Sequence, residues 1–313
     1  MKIIRDYQFV KSSDKGASVA VGNFDGVHLG HQHVIDIARS WGNKNQSPLG
    51  VLTFEPHPRS YFSPDASNFR LMSSDAKATR LDKLHVEKLY ELNFNKTLSS
   101  LNPFDFADQV ISKGLGLRHL VVGEDFCFGK GRSGTVKDLI SLGSSMGFEV
   151  TIAELMETEI GRVSSTSIRN ALAEGRPNDA AKQLGHWHRI EGVVIGGEQR
   201  GRELGYPTAN MSLDDLHLPH LGVYAVLVDV LNGEHVGSYN GVASLGVRPM
   251  FGENTPNLET FFFDFSGDLY GATLSVALVE FMRPEIKFDS LESLIVQMDK
   301  DSLKSREILK SLK

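Results

Sequence analysis

His28 and His31 are three positions apart, a spacing that could place two imidazole donors against one bound ligand. They lie in the segment VGNFDGVHLGHQH, between a short apolar run and a segment with helical periodicity. Gly22, Gly26 and Gly30 let the backbone approach a ligand closely, and the amides that begin the helix carry partial positive charge. Because residues three apart share a helix face, both imidazoles can contact one ligand. The segment predicts a triphosphate-binding turn; the alternative is a tight turn with one solvated and one core histidine.

The segment VSSTSIR predicts a second anion site at a helix start. Ser164, Ser165 and Thr166 supply hydroxyls there, and Arg169 is expected in the first turn, facing any bound phosphate. The alternative is an ordinary helix cap followed by a solvated arginine.

A GxGxxG pattern in GEDFCFGKGRSG could indicate a dinucleotide fingerprint, with Glu154 lying twenty residues beyond its last glycine, Gly134. Such a fingerprint needs its glycines directly after a strand. Here the hydrophobic segment EDFCF separates them from the predicted strand that ends at Val122. The pattern is therefore not interpreted as a dinucleotide site.

The segment GGEQRGRELGYPTAN predicts a phosphate site of another kind, since no GxxxxGK[ST] motif occurs in the chain. Thr208 and Asn210 should alternate onto one face of an extended segment, where two neutral oxygens suit Mg²⁺. An unremarkable turn is the alternative, because Gly, Pro and Asn are common turn residues. The glycines and arginines before them form a cationic loop suited to ATP phosphates, with Gly197, Arg200, Gly201 and Arg202 as candidate ligands.

Apolar runs alternate with helical patterns as far as about residue 185, which predicts βαβ units around a parallel sheet. The expected strands are 18–21, 50–54, 119–122 and 149–152, and the expected helices are 31–41, 76–92, 104–113 and 135–146. After Pro177 the segments become short, β-branched or aromatic, which predicts a small antiparallel barrel with strands 190–195, 222–230, 236–243, 258–265 and 273–281. A final helix is expected from about residue 290, with Asp289 and Glu292 as its capping box.

Length and composition exclude several classes of protein. A chain of 313 residues with 41% hydrophobic and 23% charged residues is typical of a soluble two-domain protein, and no run of eighteen apolar residues indicates a membrane span. A net charge of −6 argues against a nucleic-acid partner. A single cysteine, Cys127, excludes a disulfide framework and predicts a cytoplasmic location.

Taken together, these motifs resemble one family. GNFDGVHLGH is similar to the motif of the HxGH nucleotidylyltransferases, and more narrowly to that of the bacterial bifunctional riboflavin kinase/FAD synthetases. FEPHP, GEDFCFGKGRSG and VSSTSIR follow in that family's order, and GGEQRGRELGYPTAN, SLGVRPMFG and LETFFFDFSGDLYG resemble its kinase motifs. The resemblance covers nearly the whole chain.

The resemblance implies a Rossmann-like α/β nucleotidylyltransferase domain over residues 1–185. A six-stranded antiparallel β-barrel flavokinase domain with a C-terminal helix would follow over residues 186–313. The barrel would phosphorylate riboflavin with ATP, giving FMN and ADP. The first domain would adenylylate FMN with a second ATP, giving FAD and pyrophosphate, and each site would use one magnesium ion.

The resemblance also implies roles for individual residues. His28 and His31 would stabilise the α and β phosphates of ATP, and Glu259 would be the general base that accepts the proton of the riboflavin 5′-hydroxyl. The other residues that it implies at the ATP site of the first domain are Gly22, Asn23, Phe24, Asp25, Ser164, Ser165, Thr166 and Arg169. For flavin it implies His57, Asp125, Phe126 and Phe128 in the first domain, and Glu259 and Arg283 in the kinase domain.

The chain departs from the family pattern at Ser167, Met250 and Phe261, which replace an arginine, a threonine and a histidine, and in the segment LGHWH at 184–188. The arginine lost at Ser167 and the histidine lost at Phe261 could weaken substrate binding or alter regulation. Two alternatives stay open at this stage: an enzyme that performs only one of the steps, and a flavin-sensing binding protein that retains its ligand sites. The sequence is compatible with a homo-oligomer but does not decide the oligomeric state. It also does not decide whether FMN is channelled between the domains, whether the reverse reaction matters, or whether the kinase needs reduced flavin.

Overall fold

The computed structural model describes residues 1–64, 68–154, 156–158, 161–196, 205–213, 215–250 and 253–312. Two compact units make up the chain: residues 1–67 with 77–163, and residues 68–76 with 164–313. Residues 164–185, which the sequence assigns to the first domain, group with the second unit.

The first unit contains a parallel sheet, as predicted. Its described strands follow the order β1-β4-β3-β2-β5-β6. All four residues of β2 are buried, which is expected of a central parallel strand covered on both faces. The strands are β1 (Lys2–Ile4), β2 (Ser18–Val21), β3 (Leu49–Glu55), β4 (Lys88–Asn93), β5 (His119–Gly123) and β6 (Glu149–Ala153).

Helices connect these strands. The first, α1, runs over Leu29–Asn45 and follows β2. The others are α2 (Pro58–Phe62), α3 (Ser74–Lys83), α4 (Lys96–Ser99), α5 (Pro103–Asp105), which continues as a π-helical segment (Phe106–Gly114), and α6 (Val136–Met146). A short hairpin of β7 (Glu157–Thr158) and β8 (Gly161–Arg162) follows β6.

The helix expected over residues 76–92 is wrong in its second half. The chain leaves α3 at Lys83 and turns at His85, whose φ is +57°. It then forms β4, which pairs with β1 on one side and β3 on the other. Because β4 is covered on both faces, Leu89, Glu91 and their neighbours are buried alike, and the strand lacks the period-2 alternation that would distinguish it from a helix.

The second unit contains the antiparallel barrel. Its described strands follow the order β10-β13-β12-β11-β14-β9, and an isolated bridge between Ile195 and Asn210 nearly closes the two edges. The strands are β9 (Arg189–Val193), β10 (Thr208–Ser212), β11 (Gly222–Val230), β12 (Gly237–Met250), β13 (Glu253–Phe262) and β14 (Thr273–Arg283). The helices of this unit are α7 (Ser165–Ala173), α8 (Pro177–Leu184) and α9 (Leu291–Lys310).

The cap of α9 differs from the expected one by a single residue. Ser290 is the N-cap, and its hydroxyl accepts the backbone N–H of Ser293, which completes the capping box. The predicted pair Asp289 and Glu292 is therefore wrong, although the helix itself is where the apolar pattern predicts it.

A buried histidine on β5, His119, should make the stability of the fold depend on pH. The Ser18 hydroxyl donates to the carbonyl of Ala38, so its oxygen accepts a hydrogen bond from His119 Nδ1 at 2.8 Å. His119 Nε2 lies 2.9 Å from the Thr151 hydroxyl, and the ring stacks on Trp41 with centroids 4.5 Å apart. Burial lowers the pKa of His119 to about 4.

We expect this histidine to destabilise the fold in mild acid. Above pH 6.5 it is neutral in both the folded and the unfolded state, whereas between pH 6.5 and about 4 protons bind mainly the unfolded state. The free energy of unfolding should therefore fall by about 2 kcal/mol between pH 7.5 and pH 5 because of this residue. Urea denaturation at the two pH values should show a drop smaller by that amount in His119→Gln. His85→Gln, which changes an exposed histidine, should keep the wild-type drop; an equal drop in all three proteins would contradict the assignment.

Candidate functional site

The loop between β2 and α1 holds the two predicted histidines in a defined geometry. The backbone turns through left-handed conformations at Phe24, Gly26 and Val27, with φ of 52°, 87° and 44°. His28 is then the N-cap of α1, and its Nδ1 accepts the backbone N–H of His31 at 3.3 Å. Because Nδ1 acts as an acceptor, the proton of the neutral ring is on Nε2, and His28 can present an N–H donor.

The two imidazoles lie face to face. Their ring centroids are 3.6 Å apart and their planes differ by 14°. A Cβ at Gly30 would lie 3.2 Å from the His28 ring, so a glycine there permits the stack. Burial, then the neighbouring His28 and Lys77, hold the pKa of His31 well below its usual value. His31 is therefore suited to donate a hydrogen bond from a neutral ring at neutral pH.

The residues around the histidines complete the turn at the end of β2. Gly22 donates its amide N–H to the carbonyl of Leu52 at 3.1 Å, which joins the loop to β3. Asn23 is exposed, whereas Phe24 and Asp25 are buried. Nδ1 of His31 is also buried and accepts no hydrogen bond from the residues that the structure describes, as expected for a site whose partner is a ligand.

A buried lysine that the sequence did not single out lies behind this loop. Lys77 on α3 is 1% exposed, and its Nζ lies 3.4 Å from the Thr53 hydroxyl and 3.7 Å from Oε2 of Glu55. Thr53 in turn donates to the carbonyl oxygen of Asn23 at 3.2 Å. The lysine thus holds the loop between β2 and α1 through one intermediate hydroxyl.

Replacing this lysine should weaken the adenylyl transfer that the family resemblance implies for this unit, and it should spare the riboflavin phosphorylation that the resemblance implies for the barrel. In Lys77→Met, Thr53 and Glu55 lose a buried cationic partner, so we expect the free energy of unfolding to fall by about 1–3 kcal/mol. We also expect FAD formation to fall about tenfold or more, because the loop is held less firmly. Lys83→Met, an exposed change on the same helix, is the matched control for both measurements. Wild-type FAD formation by Lys77→Met would refute the supporting role.

The predicted second anion site is a capped helix start in the second unit. Ser164 caps α7 by accepting the Ser167 N–H at 3.1 Å, and Ser165 and Thr166 begin the helix. The side chain of Arg169, which lies beyond the first turn, donates from Nε to the carbonyl of Phe69 at 2.6 Å. The chain's departure at Ser167 thus has a structural use here, since its hydroxyl also donates to Oε1 of Gln183 at 2.5 Å.

The predicted flavin-side residues of the first unit differ in accessibility. Phe126 and Phe128 stack with centroids 5.9 Å apart, but Phe128 is buried against Phe106 in the core, and Phe126 is half-buried. Asp125 is exposed and pairs with Arg162 at 3.2 Å. His57 is the buried N-cap of α2, where its Nδ1 accepts the Arg59 N–H at 3.0 Å. Of these four side chains, Asp125 and Phe126 are the more exposed.

Two barrel strands bring the predicted kinase residues together. Asn210 on β10 lies directly opposite Glu259 on β13 in the antiparallel register, and Thr208 lies opposite Phe261. The residues that alternate with them, such as Met211 and Leu258, point into the barrel core. Thr208, Asn210 and Glu259 therefore share the face opposite the core, as the period-2 argument predicted for Thr208 and Asn210.

A fourth polar residue on that face was missed from the sequence. Asn257, two positions before Glu259 on the same strand, donates from Nδ2 to Oδ1 of Asn210 at 3.0 Å and to Oε1 of Glu259 at 3.1 Å. The alternation of side chains along a strand could have found it, because residues i and i+2 lie on one face.

The remaining predicted kinase residues are placed differently. Arg283 on β14 forms a bidentate pair with the buried Asp301 of α9, with an Nη2–Oδ2 distance of 2.6 Å, and also donates from Nη1 to the carbonyl of Pro284. Phe261 packs against Tyr206 with centroids 4.8 Å apart, and the Tyr206 hydroxyl donates to Asp299. The loop candidates Gly197, Arg200, Gly201 and Arg202 lie outside the described residues.

Two protein-family models match this chain. The one described as FAD synthetase matches residues 10–167, and the one described as riboflavin kinase matches residues 184–309. Among the described helices, none is both long and apolar enough to cross a membrane.

Known proteins resemble the chain along nearly its whole length. A bifunctional riboflavin kinase/FMN adenylyltransferase of Pseudomonas fluorescens is 38% identical, with 98% of each chain covered. A Bacillus subtilis protein of the same name is 37% identical, covering 96% of this chain and 94% of that one. A crystal structure described as a macrolide-efflux protein from Streptococcus pneumoniae has a TM-score of 0.84 at 32% identity, covering 97% of this chain and 98% of that one.

Proposed function

The chain belongs to the bifunctional riboflavin kinase/FMN adenylyltransferase family, and on that premise we propose that it converts riboflavin to FMN on the barrel and FMN to FAD on the parallel-sheet unit. It carries both transferase domains of flavin cofactor biosynthesis. The observation that supports two separate sites is that each unit has its own polar constellation: the stacked His28 and His31 at the start of α1, and Asn210 beside Glu259 on adjacent barrel strands.

In the adenylyl transfer that we propose, a phosphate oxygen of FMN attacks the α-phosphorus of ATP. The bond from the α-phosphorus to the bridging oxygen breaks, and pyrophosphate leaves. The attacking phosphate is already ionised, so positioning and charge stabilisation account for the catalysis. His28 donates from Nε2 and His31 from its neutral ring to the α and β phosphates, and the first amides of α1 add partial positive charge.

In the phosphotransfer that we propose, the riboflavin 5′-hydroxyl attacks the γ-phosphorus of ATP and ADP leaves. Glu259 accepts the hydroxyl proton as the new O–P bond forms. Its position in the middle of a strand supports this role. Hydrogen bonds to both neighbouring strands fix the backbone there, so the carboxylate is held at a constant position relative to a bound substrate. Arg283, already paired with Asp301, would bind flavin only through its remaining donors.

The barrel residues fit a magnesium ion. Among the described residues there is no cluster of three or more His, Cys, Asp or Glu side chains that could hold a metal, so a site made of protein carboxylates alone is not supported. The hydroxyl of Thr208 and the amide oxygen of Asn210 are hard neutral ligands, and Mg²⁺ is commonly held by a few protein oxygens together with substrate phosphates. We propose that these two residues hold it, where it would neutralise phosphate charge.

Purified protein incubated with riboflavin, ATP and magnesium tests the proposal. Separation of the flavins by chromatography should show FMN first and FAD later, and supplied FMN should give FAD with one pyrophosphate released per FAD. A protein that forms FMN and stops would be a single-step enzyme. A protein that binds flavin but leaves it unchanged would be a binding module, and either result would overturn the two-step proposal.

The proposal also includes the position of the domain boundary, the cellular location of the protein and its partners. We propose residue 186 as the start of the kinase domain, which the riboflavin kinase match beginning at residue 184 supports. A cytoplasmic location without a nucleic-acid partner is supported by the single cysteine and the net charge of −6. Size-exclusion chromatography with light scattering would measure whether the chain forms a homo-oligomer.

A further inference from the structure

We infer that Asn257 is a positioning residue for phosphotransfer, and that its side-chain amide fixes the proposed magnesium ligand Asn210 and the proposed base Glu259 relative to each other. The inference rests on the proposed function of the barrel. Asn257 lies outside every sequence motif quoted in the sequence analysis.

The geometry uses both hydrogens of one amide. Nδ2 of Asn257 lies 3.0 Å from Oδ1 of Asn210 and 3.1 Å from Oε1 of Glu259, and both distances are ordinary for N–H···O hydrogen bonds. A primary amide has two N–H groups, so the two bonds account for both of them. The bond to the Glu259 carboxylate is charge-assisted, which makes it stronger than a bond between neutral groups.

Asn257 also determines which way the Asn210 amide faces. Asn210 donates from Nδ2 to the carbonyl of Thr208 at 3.3 Å, and its Oδ1 accepts from Asn257. A flipped Asn210 amide would place its NH₂ group against the NH₂ of Asn257, which can only donate. Asn257 therefore selects the orientation that keeps oxygen on the site side. Since a carbonyl oxygen has two lone pairs, one remains for a metal ion.

The surroundings of Asn257 make this arrangement rigid. Its side chain is 5% exposed, and its strand lies between β10 and β12, where it pairs with Ser212 and Gly246. Its Oδ1 is buried and accepts no hydrogen bond from the described residues. An unsatisfied buried oxygen costs about 1–3 kcal/mol, so a polar side chain here stabilises the fold less than an apolar one could. The presence of an amide at this position is therefore better explained by the hydrogen bonds that its NH₂ group donates to Asn210 and Glu259.

Two replacements of Asn257 form a graded test. Asn257→Leu keeps a similar side-chain length without any donor, and Asn257→Ser keeps one donor. We expect kcat for FMN formation to fall about 10- to 100-fold in Asn257→Leu, with a smaller loss in Asn257→Ser and with the KM for riboflavin within about twofold of wild type. We also expect the magnesium concentration for half-maximal rate to rise. FAD formation from supplied FMN should stay at the wild-type rate in both variants.

A binding measurement gives a readout that does not depend on turnover. Magnesium with ADP should raise the thermal unfolding temperature of the barrel less in Asn257→Leu than in the wild type, because Asn210 no longer holds its oxygen in place. Asn240→Leu, a change on β12 at a half-buried asparagine, is the control and should respond as the wild type does.

The inference fails if Asn257→Leu folds and keeps wild-type kcat and the wild-type response to magnesium and ADP. It also fails if both variants lose the folded barrel by circular dichroism, since Asn257 would then have a structural role. Failure of the proposed function gives a different result: the wild-type protein would form no FMN, or Glu259→Gln would form it at the wild-type rate.

Discussion

Replacing Glu259 by glutamine should reduce FMN formation about 10²- to 10⁴-fold while leaving FAD formation from supplied FMN unchanged. Glutamine has almost the same shape, and its amide oxygen can still accept the hydrogen bond that Asn257 donates to Oε1. The barrel should therefore keep its structure. An amide cannot take the proton of the riboflavin hydroxyl, so the loss should appear in kcat with the KM for riboflavin near its wild-type value.

A carboxylate elsewhere in the same domain provides the control for this variant. Glu234 is exposed in the turn between β11 and β12, and Glu234→Gln should keep both activities. Flavin chromatography after separate reactions with riboflavin and with FMN distinguishes the outcomes. Equal loss of both activities in Glu259→Gln would contradict independent sites, and unchanged FMN formation would contradict a base at this position.

The geometry of the candidate sites was predictable where their residues are neighbours along the chain. The spacing of His28 and His31 anticipated a shared helix start, and the alternation of Thr208 and Asn210 anticipated a common strand face. In both cases the geometry is local, because a helix turn or a strand pleat sets it. Asn257 follows the same rule relative to Glu259, so the sequence carried that signal as well.

Other features depend on contacts that no local pattern encodes. Lys77 is buried beside Thr53 and Glu55, more than twenty residues away, although a lysine on a polar helix normally points to solvent. The wrong helix over residues 76–92 has a similar origin. Leu81 and Leu89 are both fully buried and lie eight positions apart, which is a helical spacing, although Leu81 is on α3 and Leu89 is on β4.

The cap at His28 allows its chemical role to be separated from its structural role. In His28→Asn, the side-chain oxygen of asparagine can accept the His31 N–H in place of Nδ1, and asparagine is among the best N-cap residues. The thermal stability of the protein should therefore change little. The imidazole Nε2–H is absent, however, so FAD formation should fall about 10²- to 10³-fold, the usual effect of removing one donor from a developing charge.

His31→Gln should give a loss of similar size, and His33→Gln, an exposed change on the same helix, should give none. In both active-site variants riboflavin should still be phosphorylated, so FMN accumulates where the wild type proceeds to FAD. If His28→Asn instead keeps wild-type FAD formation, the function of the side chain would be the N-cap alone, because the asparagine preserves that one interaction. The two roles of His28 thus give opposite results in a single variant, and the ratio of FMN to FAD at the end of the reaction measures which role governs adenylyl transfer.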